Sequence, residues 1–250
     1  MRKEGWPEAG SGSNGYLGRR AGAVVVVVMS QVSKSKGGNI LIFIIFGKNR
    51  RMTFDSLLSN IGQYIKLNEE EKDFLLSALI PRPFQQGELI VRSGEPARYM
   101  LFVLAGSLMT YFTDSNGADH VIQFAGEGWW SGDIYSLSDQ PVTRYSTKGL
   151  TKGEVFLLPR LAQQELLERY PKFERYFRIT FQKGLMRQQL RYVEGHSTSA
   201  EERYQSFIQA YPAIAQTAPQ KYIASYLGIT PEFLSKVRKN LSQTGSSNGS

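Results

Sequence analysis

Residues 220–241, QKYIASYLGITPEFLSKVRKNL, admit few folds. Ile223, Tyr226 and Leu227 recur at helical spacing before Gly228, and Leu234, Val237 and Leu241 do so after it. Two short helices therefore flank a glycine that can take a sharp turn, with Ile229 available to plug the gap between them. Thr230 offers an N-cap hydroxyl, Pro231 suits the first helical position, and Glu232 sits in the electropositive first turn. Small, apolar and capping residues in this order are what a helix-turn-helix requires, because its helices cross closely at a fixed angle. The second helix turns Glu232, Ser235, Lys236 and Lys239 outward, groups that can reach base edges and phosphates. A DNA-reading helix is the expectation. The alternative is an ordinary helical hairpin with a solvated polar face.

Upstream the texture changes twice. Residues 54–80 read as helix: Phe54, Leu57, Leu58 and Ile61 form one stripe, Phe74, Leu75 and Leu79 another, and Pro81 and Pro83 end the pattern. From 84 to 158, β-type runs at 88–92, 99–104, 107–113, 120–124 and 154–158 are split by Gly87, Gly94, Gly106, Gly117, Gly126, Gly128 and Gly132. Asp114-Ser115-Asn116-Gly117 between two runs is a hairpin signal. Many short strands at this spacing predict an antiparallel barrel or jelly roll.

Residues 172–193 predict a long helix with two apolar stripes. Tyr176, Ile179, Met186, Leu190 and Val193 keep near-heptad spacing, while Phe173, Phe177, Phe181 and Leu185 lie on an adjoining face. One stripe can cover the β-domain and the other can meet its copy in a partner chain. The alternative is a helix buried within one subunit. A further helix at 200–210, opened by Ser197-Thr198-Ser199, supplies Tyr204, Phe207 and Ile208 as core beneath the helix-turn-helix.

Charge is distributed unevenly along the 250 residues: net +7 in 1–51, −5 in 52–171 and +6 in 172–241, so the body is polarised toward a basic C-terminal part suited to a polyanion. The chain has no cysteine, which excludes disulfides, a thiolate nucleophile and a cysteine-held iron–sulfur cluster. Two histidines, His120 and His196, are too few for a histidine-built metal site. Residues 1–51 read as a disordered extension or an upstream-start artefact, with an N-terminal anchor or arm as the alternative. Their valine run at 24–28 and apolar run at 40–46 fall far short of the roughly twenty residues that a membrane span needs.

The order β-roll, long helix, helix-turn-helix resembles the catabolite-activator/FNR (Crp/Fnr) family of bacterial transcription regulators over residues 54–241. The matching motifs are Gly87-Glu88, Ser93-Gly94-Glu95, the stretch YMLFVLAG at 99–106, and the helix-turn-helix itself. The resemblance implies an α+β chain: an antiparallel β-roll (jelly roll) of the cyclic-nucleotide-binding kind at 52–171 with flanking helices, a dimerisation helix at 172–195, and a helix-turn-helix, winged-helix-like domain at 196–242. A disordered tail at 243–250 is expected, too short for the wing strands many members possess. The resemblance also implies a cytoplasmic homodimer on double-stranded DNA, with RNA polymerase as partner and no enzymatic activity. It places the dimer contact on Tyr176, Ile179, Met186, Leu190 and Val193.

Carried onto this chain, the family's base-reading Glu and Arg fall on Glu232 and Lys236. Thr230, Pro231 and Ser235 belong to the same turn, and Arg238, Lys239 and Lys221 are candidate phosphate contacts. The family's nucleotide pocket has a Gly-Glu pair, then an arginine about ten residues on, then a small hydroxyl residue. Here Gly132-Asp133 stands at the pair, Thr143 takes the arginine position, Arg144 falls one place late, and Tyr145 precedes Ser146. A one-residue shift in a strand turns a side chain to the other face. The expectation is therefore a small effector other than cyclic AMP, or no effector at all. No metal or other cofactor is expected, and haem ligation has no evident residues. A cupin-like enzyme would need several histidines in the roll, where His120 stands alone. A ligand-binding module acting through protein contacts, without specific DNA binding, is the alternative function.

Overall fold

The structure, a computed structural model, describes residues 45, 46, 50, 51, 54–134, 136 and 142–247. It divides into two units, Met1–Phe54 and Asp55–Ser250. In the first, strand β1 (Ile45–Phe46) pairs antiparallel with β2 (Arg50–Arg51). The valine run, most of the extension expected at 1–51, and residues 248–250 of the expected tail lie outside the described residues.

The second unit begins with α1 (Asp55–Gly62) and α2 (Glu69–Ala78). Asn68 and Glu71 close a reciprocal capping box at the start of α2. The buried Glu71 carboxylate also receives Lys172 Nζ at 2.8 Å. Burial alone would raise the Glu71 carboxyl, but the Lys172 hydrogen bond and charge and the Asn68 amide outweigh it and hold it below the usual range.

Eight strands then build two four-stranded sheets. One has the order β3 (Ile80–Phe84), β10 (Gly153–Pro159), β5 (Tyr99–Ala105), β8 (Trp130–Ser131). The other has the order β4 (Leu89–Val91), β9 (Ser146–Gly149), β6 (Leu108–Thr113), β7 (Asp119–Ala125). Between them lies a core of Phe84, Leu101, Val103, Leu108, Val155 and Leu157. All pairings are antiparallel, and the β6–β7 hairpin turns at the Asp114 to Gly117 segment as the sequence predicts. Pro81 and Pro83 end the helical pattern but also lie inside β3. That strand is an edge, and a proline's missing N–H is tolerated where it faces away from the ladder. Gly153 is required by crowding: a Cβ there would run into the Ala105 carbonyl and the Phe84 ring.

Helices make up the rest: α3 (Arg160–Arg169), α4 (Lys172–Ser197), α5 (Ala200–Ala210), α6 (Pro212–Thr217), α7 (Gln220–Leu227) and α8 (Pro231–Ser247). Ser199 and Glu202 form a second capping box at the start of α5. No helix among the described residues is long and apolar enough to cross a membrane. Two expectations need correction. Residues 243–247, expected in the disordered tail, continue the backbone of α8. Tyr176, expected on the dimer stripe, is wholly buried inside the subunit: its hydroxyl accepts from Trp130 Nε1 at 2.7 Å and donates to Asn60 Oδ1 at 2.7 Å. Heptad spacing alone could not tell which end of the stripe lies beneath the roll. Burial pushes the Tyr176 phenol up to about 12.

Tyr176→Phe leaves the Trp130 N–H and the Asn60 carbonyl without their shared partner. It should lower stability by roughly 1–3 kcal/mol in denaturant unfolding, the cost of buried polar groups left unpaired. Sedimentation should show the same assembly state as the parent chain. A shift toward monomer would return Tyr176 to the interface.

Candidate nucleic-acid interface and effector cavity

Helix α7 ends in a left-handed turn. Gly228 has φ 69° and ψ 35°, its N–H reaches the Ser225 carbonyl at 3.2 Å, and the Ile229 N–H reaches Ala224 O at 3.0 Å. This pair of bonds is a Schellman stop, which favours glycine because a side chain in that conformation is strained. The Thr230 hydroxyl then accepts the Phe233 N–H at 3.2 Å, and Pro231 opens α8. Ile223, Ala224, Leu227, Leu234 and Val237 are buried and hold the two helices together. Lys221, Thr230, Pro231, Glu232, Ser235, Lys236, Arg238 and Lys239 are all exposed. Ser235 Oγ donates to Gln220 Oε1 at 3.2 Å, which fixes its rotamer across the helix pair.

The helix pair does not stand apart from the β-roll. Its first helix lies along the free edge of β7. Ser225 Oγ accepts the Val121 N–H at 2.9 Å and donates to Asp119 O at 3.1 Å. From α4, Arg191 Nη1 donates to Val121 O at 3.3 Å and Ile122 O at 2.9 Å, and Gln188 Nε2 to Ile122 O at 3.4 Å. Lys148 of β9 crosses the gap, donating to the Tyr222 hydroxyl at 3.0 Å and lying 3.5 Å from Asp119 Oδ2. Burial alone would lower the Lys148 ammonium, but the Tyr222 hydrogen bond and the neighbouring phenols and carboxylate raise it. Phe124 of the sheet packs on Phe207, Tyr211 and Tyr226, with ring centroids 5.1–6.2 Å apart. Burial beside Tyr226 raises the Tyr211 phenol far above its ordinary value.

A cavity of about 600 Å³ opens between the sheets, with Gly132, Asp133, Thr143 and Tyr145 in its wall. Thr110 and Thr147 line it too, and their hydroxyls bond each other at 2.9 Å. Its cations are Arg82, Arg92 and Arg98. Arg82 is engaged with Glu88 at 3.2 Å, and Arg92 lies 3.7 Å from Glu95. Four of the predicted pocket residues are thus brought together, but the two at the centre bind each other. Asp133 Oδ2 accepts from Thr143 Oγ1 at 2.9 Å, Ser136 Oγ at 2.5 Å and the Arg144 amide at 3.2 Å, while Oδ1 accepts the Ser136 amide at 3.2 Å. Burial would raise the Asp133 carboxyl, yet these four donors hold it below the usual range. Arg144 and Ser146, predicted for the pocket, do not line it. The Arg144 side chain is exposed, and Ser146 Oγ accepts the Ser93 N–H at 3.1 Å instead.

Helix α4 buries Phe173, Tyr176 and Phe177 and then runs on with Leu185, Met186, Leu190 and Val193 57–61% exposed. Ile179 is half-buried. Trp129 and Trp130 face an apolar cleft of about 760 Å³ between the roll and α4 rather than the inter-sheet cavity. Sequence reasoning missed Lys148, Ser225, Ser136 and Asn60. Each acts through a contact more than fifty residues away or through a loop, and a polar residue in a short strand or loop carries no periodic signal. Among the described residues no group of three or more His, Asp or Glu could hold a metal ion.

Residues 81–170 match the family of cyclic nucleotide-binding domains. Cyclic nucleotide-gated ion channel 1 of Arabidopsis thaliana is 28% identical over 112 residues, which cover 41% of this chain and only 16% of the channel. The "Probable transcriptional regulator flp" of Lacticaseibacillus casei is 25% identical over 185 residues, covering 71% of this chain and 83% of that protein. The solved structure of FixK2 from Bradyrhizobium japonicum superposes with a TM-score of 0.58 at 21% identity, over 67% of this chain and 86% of that one. Residues 81–170 are thus of the cyclic nucleotide-binding domain kind, and the chain shares its fold with a solved "putative transcriptional regulator of the crp/fnr family" from Eubacterium rectale, with a TM-score of 0.58 at 15% identity over 72% of this chain and 85% of that one.

Asp133→Asn should destabilise the cavity wall at neutral pH, because the amide cannot accept all four donors. A carboxyl lowered by folding stabilises the native state above its unfolded value of about 3.9 and loses that contribution as pH falls through its lower folded value. The stability gap between parent and variant should therefore be full at pH 7 and close progressively below about pH 4. A gap that stays constant in acid would mean the carboxylate charge is not what the four donors hold.

Proposed function

We propose that this chain is a homodimeric, sequence-specific DNA-binding transcription regulator of the Crp/Fnr type, acting in the cytoplasm with RNA polymerase as partner. Its β-roll serves as a sensor for a small molecule other than cyclic AMP. The observation that carries the reading is the α7–α8 pair, which packs Ile223, Ala224, Leu227, Leu234 and Val237 inward and leaves Glu232, Lys236, Arg238 and Lys239 exposed on one helix. The net charge of +6 over 172–241 and the likeness to a protein named as a transcriptional regulator support it.

In this reading Glu232 and Lys236 enter the major groove from the N-terminal turns of α8, where a carboxylate accepts from a cytosine amine and an ammonium approaches a guanine edge. Lysine lacks the two-pronged fork of arginine, so its contact is a point charge rather than a bidentate pair. Arg238, Lys239 and Lys221 neutralise phosphates. Two copies meet along Met186, Leu190 and Val193 of α4, with Ile179 at the margin. They set two reading helices about 34–36 Å apart, one turn of DNA. The effector enters the inter-sheet cavity. Because Asp133 already occupies the donors that a cyclic phosphate would need there, the favoured ligand is one that leaves that cradle alone. Binding shifts a population between two orientations of the helix pair on the roll.

Selection from random duplexes at moderate ionic strength tests the reading: a palindrome with half-sites one helical turn apart is expected, and no preference would refute it. On that palindrome Lys236→Ala should cost about 1–3 kcal/mol and relax one base position. Equal weakening on random DNA would reassign Lys236 to a phosphate. Met186→Glu combined with Leu190→Glu should yield monomers by sedimentation and abolish tight binding, and a dimeric double variant would reject the α4 seam.

A further inference from the structure

We propose that Phe233 reads the 5-methyl group of one thymine in each half of the DNA site. The inference rests on the DNA-binding reading above and adds a residue to it. Among the described residues of α8, Phe233 is the large apolar side chain left in solvent. It is 45% exposed, while Leu234 and Val237 are at 0% and 1%. Phe233 lies outside the hydrophobic cluster that those two help to build, so the core does not call for an aromatic at this position.

Its position supplies one. Phe233 is the third residue of α8, and its N–H is tied to the Thr230 hydroxyl at 3.2 Å, so its Cα is fixed within the first turn. It precedes Lys236 by three residues and follows Glu232 directly. At about 100° per residue it therefore sits on the flank of the exposed face, roughly 60° from Lys236. Helical side chains lean toward the N-terminus of their helix, which is the end of a reading helix that meets base edges. The floor of the major groove offers donors, acceptors and a single apolar group, the thymine methyl. A phenyl beside a carboxylate and an ammonium can satisfy only the last of these. Burying it there removes apolar surface from water that the free protein leaves exposed.

The test uses the operator recovered by selection and the full chain. Each thymine of one half-site is replaced in turn by uracil, which differs only by the missing methyl. For the parent protein, one replacement should weaken binding roughly fourfold, the scale of one buried carbon group. Phe233→Ala should weaken binding to the thymine duplex by at least that factor and be indifferent to uracil at that position. It should keep the parent's response at every other position. Phe233→Leu should fall between the two. Thermal unfolding of both variants should stay close to the parent, because the side chain lies outside the core cluster.

A parent protein indifferent to uracil at every position overturns the proposal. So does a Phe233→Ala variant that keeps the parent's loss at the same thymine. If Phe233→Ala binds the operator normally but fails to support transcription with RNA polymerase, the phenyl faces protein instead, and the proposal falls. A selection that yields no operator removes the DNA-binding reading and this inference with it.

Discussion

The free edge of β7 is the constraint around which the rest of the second unit is arranged. An unpaired strand edge presents a row of N–H and C=O groups that must find partners or template unwanted pairing. Here the partners come from side chains rather than another strand. Ser225 serves the Val121 amide and the Asp119 carbonyl, while Arg191 and Gln188 serve the carbonyls of Val121 and Ile122. One edge thereby joins the sheet, the long helix and the first helix of the α7–α8 pair. The aromatic contacts of Phe124 with Phe207, Tyr211 and Tyr226 lie directly behind it and make the junction a shared core rather than a loose tether.

This junction also suggests how a cavity inside the roll could be felt outside it. Successive residues of a strand face opposite sides. On β9, Thr147 lines the inter-sheet cavity and its hydroxyl meets Thr110, while the next residue, Lys148, reaches outward to Tyr222 on α7. A shift of that short strand by a fraction of an ångström moves both contacts together. No long relay is needed, since the cavity wall and the contact to Tyr222 are adjacent residues of one four-residue strand. Asp133 adds a second point of leverage: its carboxylate organises Ser136, Thr143 and Arg144 on the rim of the same cavity, and a ligand that competes for any one donor must rearrange the rest.

The parts legible in the sequence were those with local or periodic causes. The glycine stop, threonine cap and proline at 228–231 are chemical requirements of a tight turn between helices, and the helix pair formed around them. The β-type runs at 99–104 and 120–124 became strands 99–105 and 119–125, and the helix start at Ser197-Thr198-Ser199 became the Ser199 capping box. Strand β9, Ser-Thr-Lys-Gly, did not, because its buried residues are Thr147 and Gly149, with no apolar side chain between them, and its face is decided by a cavity that only the fold creates. Tyr176 misled for a related reason: the apolar period continues unbroken along α4, and only tertiary packing determines where the helix leaves the roll. In the effector region the mismatch of Thr143 and Arg144 with a phosphate pocket was readable, but the closing of the cradle by Asp133 required the loop partner Ser136.

The docking contacts are of a size that suits a switch. Each hydrogen bond across the β7 edge is worth about 0.5–1.5 kcal/mol net, because water competes for the same groups. Lys148 carries a charge in a half-buried setting with an engaged phenol and carboxylate, so its contact sits toward the upper end of that range without approaching the cost of a buried, unpaired ion. The junction therefore totals a few kcal/mol beyond its apolar packing. Couplings between sites in proteins are typically about 1–3 kcal/mol, and reversing a population from one part in a hundred to ninety-nine takes about 5.5 kcal/mol of differential affinity. The apolar core that the helix pair shares with the sheet is a larger and less yielding term, and it keeps the two together. The edge hydrogen bonds are the part of the junction whose size such a coupling can match. In the proposed reading, an effector at the roll would therefore act on those edge contacts and leave the shared core in place.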